Sequence, residues 1–206
     1  MEVLRSLKRA YLQRKLGMPI IVVSGLPRSG TSMMMKMLQA GGVPLFVDGV
    51  RKADEDNPIG YYELEQTKSL LKDEDKAWLG EGRGKAVKLV STLLPGLPNG
   101  YFYKVIFMSR HLEEVILSQN KMLRRRGEPV DESGDERIRG MLEKHLAKTK
   151  LWIDGQLNFA VVDVPYSQVI ADPRGQAQRV SNFLGGDLDV ENMASAVDRS
   201  LYRNRR

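Results

Sequence analysis

The stretch Pro19-Ile20-Ile21-Val22-Val23-Ser24-Gly25-Leu26-Pro27-Arg28-Ser29-Gly30-Thr31-Ser32 decides the fold of this chain. Its first half is apolar and β-branched, which predicts a buried strand. A glycine-containing loop and then a helical pattern over 33–39 follow it. Glycine-permitted turns and a helix N-terminus direct backbone N–H groups and the positive end of the helix dipole at an anion. The stretch therefore predicts a phosphate-binding loop between a strand and a helix.

This loop lacks the lysine of ordinary nucleotide-binding loops. The spacing of Gly25 and Gly30 fits G-x-x-x-x-G-K-[ST], but Thr31 occupies the lysine position and the loop's cation is Arg28. In phosphoryl transfer that lysine neutralises charge on the β- and γ-phosphates. Its absence argues against an ordinary ATPase or kinase, whereas the predicted anion site remains.

A second apolar segment, Tyr103 to Ser109, predicts another buried strand, and Arg110 follows it directly. The residues after Arg110 have helical periodicity, and Ser118 lies on the face opposite the apolar stripe. An arginine can donate a forked, charge-assisted pair of hydrogen bonds to a phosphate, and a serine hydroxyl can add a third donor. We therefore expect Ser118 to be free to meet a ligand beside Arg110.

Together the two segments resemble the PAPS-dependent sulfotransferases of the bacterial type, where PAPS is 3′-phosphoadenosine 5′-phosphosulfate. The loop is similar to the family's P-[KR]-S-G-[TS]-[TS], and the family places a serine eight residues after a strand-end arginine, as in Arg110 and Ser118. In the family, the loop holds the 5′ phosphosulfate and the arginine and serine hold the 3′-phosphate. The resemblance implies that PAPS is bound by Arg28, Ser29, Gly30, Thr31, Ser32, Arg110 and Ser118.

A third part of the resemblance follows the last predicted strand, over 159–164. Tyr166, Asp172-Pro173 and Phe183-Leu184-Gly185 match the family's V-x-Y-E-D-L-x-x-D-P and F-L-G, whereas Ser167-Gln168 replaces the acidic pair. In the family the tyrosine lies near the adenine, so the resemblance implies that Tyr166 also binds PAPS. The similarity extends from about residue 20 to residue 185 as short motifs in the family's order.

The remaining pattern predicts one α/β domain of the P-loop type, a three-layer α/β/α architecture with a central, mainly parallel sheet. Apolar strands that alternate with helices indicate parallel strands covered on both faces. We predict further strands over 43–47 and 85–90 and helices over 63–72 and 135–156. The single domain spans 1–206, with a basic, amphipathic helix over 1–18 and a basic tail over 187–206.

Three residues are candidates for the chemistry of sulfuryl transfer. The resemblance implies that Arg28 stabilises charge on the leaving group. Lys88 is similar to a family lysine at the end of a neighbouring strand, and is otherwise a plain edge-strand lysine. Many family members have a histidine base where this chain has Val90. Glu63, in Gly60-Tyr61-Tyr62-Glu63, is similar to a glutamate that some members use as base, and is otherwise the first-turn acid of a helix.

Neither histidine is the predicted base. His111 follows Arg110 and fits a helix start or the wall of the 3′-phosphate site, while His145 lies on the apolar face of the long helix and fits a core position. No metal is predicted: the acidic residues Asp54, Glu55 and Asp56 fall in a turn, and a sulfuryl group carries less charge than a phosphoryl group.

Composition narrows the possible partners. The chain of 206 residues has no cysteine and a formal net charge of +6, with basic clusters at Arg124-Arg125-Arg126 and near the end of the chain. Its aromatic residues are not interleaved with these clusters, which argues against nucleic acid as a partner. No apolar run reaches the ~18 residues of a membrane span and no signal-peptide pattern is present, so we expect a cytoplasmic protein.

The sequence therefore predicts a sulfotransferase that moves a sulfuryl group from PAPS to a hydroxyl or amine and releases adenosine 3′,5′-bisphosphate (PAP). The acceptor is a small molecule or a glycan, which the loops over 72–84 and 127–134 select. Two alternatives remain: a P-loop small-molecule kinase, with Asp163 as its acid, and a non-catalytic protein that binds nucleotide or a partner. The oligomeric state is open.

Overall fold

The computed structural model describes residues 2–50, 60–130 and 134–201. Within them lies a four-stranded parallel sheet in the order β2-β1-β3-β4. Its strands are β1 (Ile20–Gly25), β2 (Ala86–Val90), β3 (Tyr103–Ser109) and β4 (Phe159–Pro165). Because the strands are parallel, their carboxyl ends meet at one edge, which we term the carboxyl edge.

Helices and short 3₁₀ turns cover the sheet. The α-helices are α1 (Glu2–Leu16), α2 (Thr31–Ala40), α3 (Leu112–Arg125), α4 (Asp135–Gly155), α5 (Tyr166–Ala171), α6 (Pro173–Leu184) and α7 (Val190–Ser195). The 3₁₀ turns are Glu65–Ser69, Ala77–Gly82, Ser91–Gly96 and Arg199–Leu201.

Strand β1 separates two hydrophobic cores. All six of its residues are buried; Ile21 and Val23 point into one core and Ile20 and Val22 into the other. The first core also takes side chains from α2 and α5 to α7, and the second takes them from α4 and the 3₁₀ turns. A strand buried on both faces requires an unbroken apolar sequence, so the predicted three-layer α/β/α architecture is confirmed.

Helix α2 is anchored by methionines rather than by branched side chains. Met34, Met35 and Met37 are fully buried beneath it, and each buried side chain of this size stabilises the fold by about 1.5–3 kcal/mol. Unbranched thioether side chains fill irregular gaps. The helix that follows the predicted loop is thereby held firmly against the sheet.

Some predicted elements differ in the structure. Instead of a strand over 43–47, a single bridge joins Leu45 to Ala86. The predicted helix over 63–72 is a 3₁₀ turn over Glu65–Ser69. The segment predicted as a tail contains α7, whose Met193 is fully buried against the end of α2, because an apolar side chain in this position completes the first core.

In the described parts of the chain, no helix combines the length and the apolar character needed to cross a membrane.

Candidate functional site

The residues singled out in the sequence meet at the carboxyl edge. The loop over 26–30 follows β1, Lys88 lies near the end of β2, Arg110 follows β3, and Tyr166 follows β4. The chain runs from β1 to β2 on one side and then crosses to β3 on the other side. In open parallel sheets, ligands bind in the crevice that such a reversal of strand order creates.

Close packing around the loop explains its two glycines. A Cβ on Gly25 would clash with the carbonyl of Met108 and the hydroxyl of Ser29, and a Cβ on Gly30 would clash with the ring of Tyr166. Gly30 also has a φ of 100°, in the left-handed region, directly before α2 begins at Thr31. At both positions only glycine lets the loop backbone come this close to Met108 and to Tyr166.

Two features inside the loop suit an anion. Ser29 is 1% exposed, and its buried Oγ has no hydrogen-bond partner among the described residues. Buried hydroxyls are normally satisfied, so this one is available to a ligand. Arg28 has a φ of 69°, a rare and costly conformation for a residue with a side chain, and such strain clusters at functional sites.

A cluster of five side chains, here termed the Arg110 cluster, lies on the β3 side of the loop: Arg28, Arg110, Glu114, Ser118 and Tyr166. Arg28 Nε donates to Ser118 Oγ at 3.1 Å, and Arg110 Nη1 donates to the backbone carbonyl of Arg28 at 3.1 Å. These two bonds join the loop to Arg110 and to α3. The cluster therefore contains two guanidinium groups beside a buried hydroxyl.

Glu114 is a member of the cluster that the sequence analysis missed. Arg110 Nε lies 2.8 Å from Glu114 Oε2, and the two side chains are only 8% and 2% exposed. The signal was present, since residues four apart on a helix face each other. A buried ion pair of this kind orients the guanidinium of Arg110 towards the loop.

The ring of Tyr166 packs against the guanidinium group of Arg110. The Arg110 guanidinium carbon lies 4.5 Å from the centre of the Tyr166 ring, within the range of a cation–π contact. Burial raises the pKa of the Tyr166 hydroxyl, and the charge of Arg110 partly offsets this rise. The ring is 5% exposed and therefore acts here as a platform beneath Arg110.

A second group, here termed the Lys88 cluster, lies on the β2 side of the loop: Lys88, Glu63, Tyr61 and Ser32. Lys88 Nζ is 3.6 Å from Glu63 Oε1 and 3.5 Å from Ser32 Oγ, and it donates to the carbonyl of Tyr61. The Lys88 side chain is 10% exposed. It is therefore turned towards α2, although it lies on β2, an edge strand of the sheet.

Glu63 precedes the 3₁₀ turn rather than occupying its first turn. The turn begins at Glu65, so Glu63 lies outside the range of a helix-terminal dipole effect. Gly60 and Tyr62 both have positive φ, of 90° and 51°, and this bent backbone brings Glu63 to Lys88. The alternative role of Glu63 as a helix-start acid is not supported.

Two hydrogen bonds of Asp48 hold the segment that carries Glu63 in place. Asp48 Oδ2 accepts the backbone N–H of Glu65 at 2.6 Å, and the Asp48 N–H donates to the carbonyl of Glu63 at 3.4 Å. The N–H groups of Glu65 and Val50 lower the pKa of the Asp48 carboxyl. The sequence analysis missed this residue, because its partners are 15 and 17 positions away and no local motif marks them.

Ser118 differs from the prediction. Its side chain is 6% exposed and accepts the bond from Arg28, so it is buried against the loop rather than open to a ligand. The helical periodicity correctly placed it opposite the apolar stripe, but that face packs on the loop. A ligand at this position has to replace or share the Arg28 contact.

His111 lies at a helix start as predicted, whereas His145, predicted as a core position, is only partly buried. His111 is the residue before α3. His145 Nε2 lies 2.8 Å from Ser91 Oγ and 3.4 Å from Thr149 Oγ1, so its ring is satisfied within the protein. The acidic residues Asp54 to Asp56 lie outside the described residues, as do the arginines after residue 201.

No protein-family model matches this chain, and no curated protein matches it by sequence. Among the solved structures that its fold matches are two sulfotransferase domains. With the sulfotransferase domain of the Synechococcus PCC 7002 olefin synthase it shares 17% identity over 91% of this chain and 80% of that one, with a TM-score of 0.52. With the sulfotransferase domain from the curacin biosynthetic pathway it shares 14% identity over 90% of this chain and 89% of that one, with a TM-score of 0.50. The chain therefore has the fold of these sulfotransferase domains.

Proposed function

We propose that this protein is a sulfotransferase that moves a sulfuryl group from PAPS to a hydroxyl or amine and releases PAP. The observation that carries the proposal is a phosphate-binding loop with Thr31 in place of the usual lysine, joined by hydrogen bonds of Arg28 to a second candidate anion site at Arg110 and Ser118. A donor with one phosphate at its 3′ side and a phosphosulfate at its 5′ side needs two separate anion sites. The shared fold supports the same assignment.

The residues present fit such a donor. Backbone N–H groups over 30–32 and the unpartnered hydroxyl of Ser29 suit the 5′ side, with Thr31 and Ser32 at the start of α2. Arg110 and Ser118 suit the 3′-phosphate, and Tyr166 belongs to this site as the platform of Arg110. PAPS supplies an activated sulfuryl group on a phosphate leaving group.

Two cations can stabilise the negative charge that develops on that leaving group. Arg28 lies in the loop, and Lys88 approaches the start of α2 through Ser32. Preorganised charges in a partly buried site stabilise a transition state without the cost of reorganising water. Arg28 and Lys88 are therefore the proposed electrostatic groups.

Glu63 is the proposed general base. Its carboxylate lies beside Lys88 and is about one quarter exposed, so an acceptor can approach it from solvent. Glu63 would take the proton from the acceptor's hydroxyl or amine as the new bond to sulfur forms. Val90, which stands where many relatives in the proposed family have a histidine, cannot take that proton.

Asp163 is poorly placed to act as the acid of a P-loop kinase. Asp163 is 54% exposed and lies 3.7 Å from Lys150 on α4. An acid of the Walker B type holds Mg²⁺ beside the phosphate-binding loop. In this structure Asp163 instead makes a surface ion pair, so the kinase proposal has neither its lysine nor its acid.

The acceptor is proposed to be a small molecule or a glycan. The two sulfotransferase domains described above belong to an olefin synthase and to the curacin biosynthetic pathway. Small-molecule substrates are therefore the first set to assay. A panel of hydroxyl and amine compounds with radiolabelled PAPS measures transfer directly.

Thermal unfolding with PAP, AMP and ADP tests the donor site. PAP at ~100 times its dissociation constant should add about 2.7 kcal/mol of stability, and AMP at the same concentration much less, because only PAP fills both anion sites. An equal shift with ATP or ADP and none with PAP would favour a kinase. A PAP shift without transfer to any acceptor would favour a non-catalytic nucleotide-binding protein.

A further inference from the structure

Helix α1 displays its apolar side chains to solvent. Leu4, Leu7 and Tyr11 are 65%, 62% and 63% exposed. At 3.6 residues per turn these three positions fall on one stripe along the helix. Isolated exposed leucines are ordinary on protein surfaces, but here they line up on one helix.

The opposite face of α1 is the one that packs on the protein. Arg5, Arg9, Leu12 and Leu16 are only partly exposed. Arg9 is close enough to Asp154, near the end of α4, for the two charges to interact. The carbonyl at the end of the helix, on Leu16, accepts a hydrogen bond from Arg83. The helix is therefore held with its apolar stripe outward, the reverse of an ordinary amphipathic helix on a soluble core.

Basic side chains border this stripe on both sides. By helical geometry Lys8 and Lys15 lie along one border and Arg14 along the other, and all three are exposed. Lys15 Nζ is 6.0 Å from the centre of the Tyr11 ring. Residues 3 to 19 include no acidic residue. The outward surface of α1 is thus an apolar stripe with two lysines on one border and one arginine on the other.

From this arrangement we propose that α1 binds the surface of an anionic lipid bilayer and lies flat on it. Leu4, Leu7 and Tyr11 insert between the headgroups, and the basic side chains on either side contact acidic lipids. Helices with an apolar stripe, a basic polar face and low overall hydrophobicity bind membrane interfaces in this way. The attraction of juxtamembrane Lys and Arg to acidic lipids adds to the insertion energy.

A flat lipid surface fits this helix better than a groove on a partner protein. A groove that binds an amphipathic helix surrounds its apolar face with side chains at i, i+3, i+4 and i+7. Here the partly buried positions of the helix lie opposite the apolar stripe, and the outward stripe is narrow and convex. Because basic side chains lie on both borders, they can contact a flat lipid surface while the apolar stripe inserts into it.

Vesicle sedimentation tests the proposal directly. The full chain should co-sediment with vesicles of equimolar phosphatidylcholine and phosphatidylserine, and not with phosphatidylcholine alone. Binding should largely disappear at about 1 M salt, where the Debye length is about 3 Å. Replacing Lys8 and Lys15 by glutamine should weaken partitioning about 30-fold, since each lysine near such a surface contributes about fivefold.

Two further variants separate the basic borders from the apolar stripe. The matched control Lys144→Gln/Arg179→Gln removes the same charge elsewhere and should bind as the wild type does. Leu4→Ser/Leu7→Ser keeps every charge and should weaken partitioning at least about tenfold. Because all of these side chains are exposed, thermal unfolding and PAP binding should be unchanged, which shows that the variants fold.

Several results would overturn the proposal. One is an absence of binding to the mixed vesicles, and another is binding that the control variant weakens as much as the α1 variants do. Vesicle binding that is the same with and without Leu4 and Leu7 would show that net charge alone explains the binding. A dimer in solution that Leu4→Ser/Leu7→Ser dissociates, without vesicle binding, would instead assign the stripe to a second copy of the chain. Leucine-dependent binding to polyglutamate but not to vesicles would assign it to an acidic protein.

Discussion

Arg28 Nε donates a hydrogen bond to Ser118 Oγ at 3.1 Å, across 90 positions of sequence. The family resemblance implies a role for Arg28 at the 5′ side of the donor, and a role for Ser118 at its 3′ side. The bond joins these two proposed subsites. Since Arg110 also donates to the Arg28 carbonyl, both arginines and the serine form one connected unit.

Arg28→Ala should slow sulfuryl transfer by about 10²–10³, because it removes a preorganised charge that stabilises the transition state. The loss should be the same at every pH, since arginine does not titrate in the measurable range. Single-turnover rates with radiolabelled PAPS measure it. Ser118→Ala is the matched control, because it breaks the same hydrogen bond and keeps the cation; it should weaken PAP binding more than AMP binding. Equal rates for Arg28→Ala and the wild type would remove Arg28 from the catalytic group.

Arg110→Ala should weaken PAP binding by roughly 1.5–3 kcal/mol, the range for hydrogen bonds to charged groups, with little change for AMP. The same substitution leaves Glu114 charged and buried, and breaking such a pair typically costs 3–5 kcal/mol of folding stability. Calorimetric titration and thermal unfolding separate the two effects. Arg110→Gln/Glu114→Gln removes both charges and should recover stability without recovering PAP affinity. Recovery of both would make Arg110 a structural residue only.

Glu63→Gln should lower turnover by ~10²–10⁴ and leave PAP binding unchanged, because the amide cannot take the acceptor's proton. Glu65→Gln is the control, since Glu65 lies two residues away and pairs with Lys68 on the surface. A Glu63→Gln enzyme that turns over normally with a hydroxyl acceptor would exclude Glu63 as the base.

Gly30→Ala should destabilise the protein by roughly 2–5 kcal/mol. About 1–2 kcal/mol comes from the left-handed backbone, and the rest comes from displacing the ring of Tyr166. Gly42→Ala is the matched control, because Gly42 has a similar φ of 92° with open space around its Cβ position. Thermal unfolding with and without PAP measures both variants. A Gly30→Ala protein as stable as Gly42→Ala would show that Tyr166 does not constrain the loop.

Asp48→Asn should reduce stability near neutral pH and have little effect in acid. The backbone N–H groups of Glu65 and Val50 lower the pKa of Asp48 in the folded state. A lowered pKa stabilises the fold above the unfolded value of about 3.9, and that contribution is lost as pH falls through the folded value. Unfolding midpoints of both proteins between about pH 2 and pH 7 measure the difference. Asp75→Asn, in another turn, is the control, and a difference that persists at the acid end would contradict the assignment.

Much of the fold followed from local sequence patterns. The apolar runs of β1, β3 and β4 marked strands buried on both faces, and helical periodicity marked α3 and α4. The 43–47 segment was predicted as a strand because it is apolar, yet it forms a single bridge at Leu45. The segment reaches the outer edge of β2 and pairs there at one position only, and how far such pairing extends depends on context that an apolar pattern does not encode.

For the candidate site too, local sequence patterns determined some features and the tertiary structure decided the others. By itself the sequence determined the glycine loop between β1 and α2, its missing lysine, and the position of Arg110 at the end of β3, because parallel strands bring their carboxyl ends to one edge whatever their order. Lys88, expected at a strand end, lies two residues before the end of β2. Only the tertiary structure decided which side chains meet there: Arg28 with Ser118, Lys88 with Glu63, and Tyr166 beneath Arg110. Those contacts join residues 25 to 90 positions apart, and their formation depends on packing, on the bent backbone around Tyr62 and on the exclusion of water, none of which a short motif specifies.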